Sequence, residues 1–128
     1  MNGPDPRWIR RYHPASDAGV TLVCLPHAGG SASFFHPVSA ALAGSVDVVA
    51  VQYPGRQDRH DEPQVAGIAD LAAAVADQVA TLGPRPVALF GHSMGAVVGY
   101  EAAVLLERAG HPPVHLFASG RRAPSRGR

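Results

Sequence analysis

A chain of 128 residues has room for one domain around one modest core, because a domain of this size buries only about two-thirds of the surface its unfolded form exposes. With 46% hydrophobic residues, 16% charged residues and a formal net charge of +1, nothing global points to nucleic acid or a membrane surface as the partner. Lysine is absent and arginine supplies all the fixed positive charge, which beside abundant alanine, glycine and proline reads as a coding bias before it reads as function. Cys24 is the sole cysteine, so no intramolecular disulfide can form and a cytoplasmic home is the expectation. Residues 1–11 carry arginines with no apolar stretch after them. The most apolar later segment, 95–106, is short and contains Glu101, so neither a signal peptide nor a membrane span is expected.

In chain order, residues 8–13 leave room for an N-terminal strand, and 20–25 form the first apolar run rich in valine and leucine. Residues 33–43 read as a helix stopped by Gly44, and 46–51 as a second apolar strand. The clearest helical period spans 64–82, with Val65, Ile68, Leu71, Val75, Val79 and Leu82 on one face and Asp70 and Asp77 off it. Pro63 suits its first turn, and Gly83 followed by Pro84 suits its end. A third strand at 87–90 leads into a helix at 94–109, closed by Gly110 with Pro112 and Pro113 beyond, and 114–118 is a fourth apolar run. Consecutive apolar residues mark these strands as buried on both faces; Asp47 and His115, near strand starts, are expected at exposed positions. Alternating strands and helices predict a parallel sheet with right-handed crossovers, without repeats or linkers.

Gly91-His92-Ser93-Met94-Gly95 is a G-x-S-x-G sequence lying directly between the strand 87–90 and the helix that starts at Met94. A turn this sharp holds its central residue in a strained backbone conformation, hydroxyl above the sheet edge, and the flanking glycines avoid collision. The helix N-terminus and the amide of Met94 can then stabilise an oxyanion formed when Ser93 attacks a carbonyl. The bland alternative is a glycine-flanked serine in a tight turn. The segment Cys24-Leu25-Pro26-His27-Ala28-Gly29-Gly30 follows the first run of the alternating set and resembles a second oxyanion arm, with the amide of Ala28 as donor; the alternative there is a flexible loop. If the chain steps outward from 20–25 to 46–51 and crosses back to 87–90, both loops leave the strands at the point where the winding reverses, the place where open α/β sheets bind ligands.

Four segments in order, Pro26-His27-Ala28-Gly29-Gly30-Ser31-Ala32, Gln52-Tyr53-Pro54-Gly55-Arg56, Phe90-Gly91-His92-Ser93-Met94-Gly95-Ala96 and Leu116-Phe117-Ala118-Ser119-Gly120-Arg121, resemble the type II thioesterases that accompany polyketide synthases and nonribosomal peptide synthetases. The resemblance implies a truncated α/β-hydrolase fold, mainly a parallel sheet with helices on both faces. Residues 1–120 would form the N-terminal part of that domain and 121–128 a disordered tail, with the lid and C-terminal strands absent. It further implies hydrolysis of acyl thioesters on the phosphopantetheine arms of carrier proteins, through an acyl intermediate on Ser93. The substrate then carries the phosphopantetheine and the protein has no cofactor and no metal of its own. The partners implied are acyl or peptidyl carrier protein domains, together with self-association or a complementing C-terminal half that covers the apolar edge left at 114–118.

A serine nucleophile needs a base and an acid that orients it, and in this family both follow the serine, beyond where this chain ends. Within the chain, Glu107 with His111 or His115 has the right order, but Glu107 sits roughly 20 Å along the helix from Ser93, and both histidines belong to the amino edge of the sheet. His27 is expected to hold its loop by hydrogen bonds, His36 to pack or face solvent, and His92 to point away from the hydroxyl. His60, with Asp58 and Asp61 beside it, lies at the correct sheet edge, and no zinc-type ligand spacing occurs. Arg56, Arg59, Arg121, Arg122, Arg126 and Arg128 leave the same edge and suit an acidic carrier protein or its phosphate, or a solvated loop and tail. Two other functions fit the same residues: a catalytically dead carrier-binding module or gene remnant, and a general serine esterase.

Overall fold

The computed structural model describes residues 5–15, 17–27, 30–54, 67–83 and 85–119. They form β1 (Ile9–Arg10), β2 (Thr21–Leu25), a 3-10 turn (Ala32–Phe35), α1 (His36–Leu42), β3 (Asp47–Val51), α2 (Ile68–Ala80), β4 (Val87–His92), α3 (Met94–Arg108) and β5 (His115–Ser119). The five strands make one sheet in the order β1-β3-β2-β4-β5. β1 runs antiparallel to β3 and the other neighbours are parallel. The predicted strands are therefore all present, including the N-terminal one, which shrinks to a two-residue pairing of Ile9 with Val51 and Arg10 with Ala50.

The apolar runs are continuous because each inner strand has a core on both faces. Val23, Leu25, Val49, Val51 and Leu89 point to one side, where Leu71, Val75 and Val79 of α2 and Val98, Ala102 and Leu106 of α3 cover them. Cys24, Val48 and Ala50, the residues in between, point to the other side and meet Ala32 and Phe35. Each fully buried valine or leucine contributes about 1.5–3 kcal/mol, so the doubly covered strands carry most of the hydrophobic stabilisation. β5 departs from this pattern. It is an edge strand, with Val114 just before it 62% exposed and Phe117 49% exposed, so the expectation of a strand buried on both faces fails there while that of an exposed apolar edge holds.

Three further expectations are corrected. Asp47 is buried at 4% exposure rather than exposed, because β3 is an inner strand flanked by β1 and β2. Its carboxylate is held by Arg11 Nε at 3.1 Å and by Arg85 Nη1 at 3.0 Å. The segment predicted as one helix over 33–43 starts as a 3-10 turn and becomes α-helical only at His36. Pro37 is the reason: it belongs in a first helical turn, since deeper in a helix its ring would strike the carbonyl four residues back. α2 begins at Ile68, with Gly67 as its N-cap; Pro63 to Ala66, where an earlier start was expected, lie outside the described residues, as does Pro84. Among the described residues no helix is long and apolar enough to cross a membrane.

Candidate active site

The winding reverses between β2 and β4. From β2 the chain steps to β3 on one side, then crosses by α2 to β4 on the other, so the carboxyl ends of β2 and β4 are adjacent, with Leu25 paired to Gly91. The two loops singled out from the sequence leave the sheet at this position.

Ser93 follows β4 directly and is the N-cap of α3. Its backbone stands at φ 58 and ψ −119, and it is the one non-glycine residue with positive φ among the described residues. A conformation of this kind costs on the order of 1–3 kcal/mol and persists only where the surroundings enforce it. Here the enforcement is visible. The Ser93 N–H donates to the Ser119 carbonyl at 2.8 Å, at the end of β5, and the Ser93 carbonyl accepts from the Ala96 N–H at 2.9 Å. Glycine on either side lets helix and strand close up: a Cβ on Gly91 would collide with the Gly95 carbonyl, and one on Gly95 with the Leu25 carbonyl. Serine at an N-cap ordinarily spends its hydroxyl on an amide of the first turn, but Ser93 makes no such side-chain bond. Met94 opens α3, so its amide is among the first-turn groups that lack an intrahelical acceptor and stand at the positive end of the helix dipole.

On the β2 side, Pro26 and His27 are described and the chain resumes at Gly30; Ala28, the expected second oxyanion donor, and Gly29 lie outside the described residues. The Gly30 N–H donates to the His27 carbonyl at 2.9 Å. His27 does not hold its loop by side-chain hydrogen bonds, as expected from the sequence: its Nδ1 is buried without a hydrogen-bond partner. It acts by packing. Its ring stands edge-on to Phe34 and His92, at centroid distances of 5.2 and 5.7 Å, and lies so close under Gly30 that a Cβ there would come within 2.8 Å of it.

His92 Nδ1 meets the Ser119 hydroxyl at 3.3 Å, and its ring stacks with Phe34. His36 is exposed, and its ring meets those of Tyr12 and His13, within the expectation that it packs or faces solvent. Glu107 lies near the far end of α3, while His115 pairs with Ala88 at the amino end of β4, so neither reaches the serine. His111 lines a cleft of about 370 Å³ at that same amino edge, with Arg85, Leu106 and Pro112. Asp58, His60, Asp61, Arg56, Arg59, Arg121, Arg122, Arg126 and Arg128 lie outside the described residues, and no metal-binding cluster occurs among the described ones.

Two buried polar side chains next to this edge had no role in the sequence reading. Gln52 and Tyr53, just after β3, are 1% and 3% exposed. Gln52 Oε1 accepts from the Ala32 N–H at 2.8 Å, and the Tyr53 hydroxyl donates to the Pro26 carbonyl at 3.1 Å. Their only signal in the sequence was membership of one of the four resembling segments.

Residues 20–128 match the family model of the thioesterase domain. A probable cadicidin biosynthesis thioesterase of Streptomyces griseus is 56% identical over 119 residues, covering 93% of this chain and 33% of that one. Thioesterase PikA5 of Streptomyces venezuelae is 53% identical over 123 residues, covering 92% of this chain and 43% of that one. Among solved structures, the type II thioesterase BorB from the borrelidin biosynthetic cluster superposes with a TM-score of 0.90 at 51% identity, over 100% of this chain and 52% of its own. The chain thus spans a third to a half of the length of these relatives. Family model, relatives and fold agree: the chain belongs to the thioesterase domain family, with the α/β-hydrolase fold, and its relatives include type II thioesterases such as BorB and YbtT, the latter from the yersiniabactin NRPS/PKS biosynthetic pathway.

Proposed function

We propose that this chain carries the nucleophile of a thioesterase that clears acyl groups from the phosphopantetheine arms of acyl or peptidyl carrier protein domains. The observation that carries the reading is the strained Ser93 elbow at the carboxyl edge of the sheet, on the switch point between β2 and β4. Ser93 Oγ attacks the thioester carbonyl, and the negative charge on its oxygen falls at the α3 N-terminus, where the Met94 amide, with that of Ala28, receives it. Collapse breaks the carbon–sulfur bond, the thiol leaves with a proton, and water then releases the acid from the acyl-serine. The proton on Ser93 requires a base. The resemblance assigns that base and its orienting aspartate to positions downstream of Arg128.

Release of free thiol from an acyl-phosphopantetheinyl carrier protein, with the chain and its Ser93→Ala variant side by side, tests the proposal. Release should depend on Ser93, and intact-mass measurement should show the acyl group on the wild-type chain alone. Equal release by both proteins would refute Ser93 as nucleophile. Folded protein that binds the acylated carrier without acylation would favour the non-hydrolysing carrier-binding reading, which the placement of His111 and His115 at the opposite edge supports. An oxygen ester hydrolysed as readily as the matched thioester would return the assignment to a general serine esterase.

A further inference from the structure

Gln52 and Tyr53 stand just past the end of β3, two strands from β4 and its Ser93, and both side chains reach across to the segment that follows β2. Tyr53 donates to the Pro26 carbonyl at its start and Gln52 accepts from the Ala32 N–H at its end. Burying an amide and a phenol at 1% and 3% exposure is favourable only where their hydrogen bonds are made, and these bonds go to backbone that no strand or helix ladder would otherwise satisfy. The backbone of Gln52 is itself fixed, since its N–H donates to the Trp8 carbonyl at 2.9 Å. Trp8, just before β1, thereby anchors the residue that anchors the loop.

We infer that Gln52 and Tyr53 are positioning residues for the second oxyanion arm: they clamp the two flanks, Pro26 and Ala32, of the segment that presents its amide to the carbonyl attacked by Ser93. The inference rests on the proposed nucleophile and assigns the clamp to the residues that follow a third strand, β3, which does not itself carry the nucleophile. Between the flanks, the Gly30 N–H donates to the His27 carbonyl at 2.9 Å and Gly30 packs directly against the His27 ring. Released by even about 1 Å at one flank, a donor aimed at a developing oxyanion loses rate without losing substrate binding, by up to about 100-fold.

Tyr53→Phe removes only the hydroxyl and keeps the buried ring, and Gln52→Leu removes the whole side-chain amide, the Oε1 acceptor included, at similar volume. Two readouts separate the clamp from the chemistry. Amide hydrogen exchange at Gly30 should quicken about tenfold in Tyr53→Phe, the effect of one lost hydrogen bond, while amides in α2 and α3 stay unchanged. Unchanged exchange at Gly30 would overturn the clamp. The second readout is phosphonylation of Ser93 by an alkyl fluorophosphonate, in which an oxygen–phosphorus bond forms as the phosphorus–fluorine bond breaks, fluoride leaves and buffer takes the proton. The limiting labelling rate should fall about 10- to 100-fold in both variants, with the half-saturating probe concentration and the final labelled fraction unchanged. A merely structural role would lower the labelled fraction instead, and an unchanged limiting rate would overturn the inference. Wild-type protein labelled no better than Ser93→Ala would refute the nucleophile and the positioning role together, while Gly30 exchange would still report whether the clamp exists as structure.

Discussion

Gly95→Ala asks whether close approach of backbone, rather than flexibility, is why the elbow has glycine. Gly95 lies in the first turn of α3, and a Cβ there would overlap the Leu25 carbonyl and come within 2.7 Å of the Pro26 carbonyl oxygen. A carbon–oxygen contact relaxes at about 3.3 Å or more, and the Leu25 carbonyl is the closer obstacle, so α3 and the end of β2 must separate by about 1 Å. Both partners are backbone, in an interior that transmits displacement instead of absorbing it. Overpacking of this kind costs about 3 kcal/mol, and the better helix propensity of alanine returns about 1 kcal/mol, leaving a net loss of about 2 kcal/mol. For a domain of this length the melting temperature should drop by about 6–10 °C. Thermal melting followed by circular dichroism measures it, with Gly19→Ala as control, since nothing lies within 4 Å of a Cβ at Gly19. A Gly95→Ala protein that melts within about 2 °C of wild type, with the control also unchanged, would refute the close-approach account.

Asp47→Ala leaves the guanidinium groups of Arg11 and Arg85 without their shared carboxylate. Both arginine side chains keep a quarter or more of their surface in water and can rehydrate, so the loss in urea unfolding should be about 2–3 kcal/mol, below that of a fully buried pair. Cys24 should resist iodoacetamide in the native protein at pH 8 and react on addition of denaturant, because burial pushes its thiol up to about 12. The folded value lies above the unfolded one of 9.0, so the unfolded chain gives up its proton first. The contribution of this thiol is therefore fully present below pH 9 and lost as pH rises from 9 towards 12. Alkylation of native protein at the unfolded rate would contradict the burial.

Local chemistry made most of the sheet legible. Paired apolar faces in 20–25 and 46–51 follow from burial on both sides, and the glycines at 44, 83 and 110, all at positive φ, end helices where the sequence places them. What stayed hidden depended on neighbours far along the chain. Asp47 looks like a solvent-exposed strand start until Arg11 and Arg85, 36 and 38 residues away, arrive beside it. His27 looks like a hydrogen-bonding loop residue until Phe34, His92 and Gly30 enclose its ring. Pro37 did carry a local signal for the 3-10 to α change, since proline belongs in a first turn.

The elbow was readable because its constraint lies within five consecutive residues, whereas the support around it is distributed by strand register. Thr21 pairs with both Asp47 and Val87, and Ala88 pairs with His115, so the parallel strands begin nearly level and also end nearly level. The first residues beyond β2, β3 and β4, and the last of β5, consequently come to one edge: Pro26, Gln52 and Tyr53, Ser93, and Ser119. The strands that flank the central pair β2 and β4 each fix one of the two loops between them. β3 holds the β2 loop through Gln52 and Tyr53, and β5 holds the elbow through the Ser119 carbonyl on the Ser93 N–H. This arrangement gives a physical reason for four separated segments, and not the G-x-S-x-G alone, to carry the likeness to type II thioesterases. A serine elbow needs only its own strand and helix, but holding two loops in fixed relation at the switch point requires the ends of all four parallel strands.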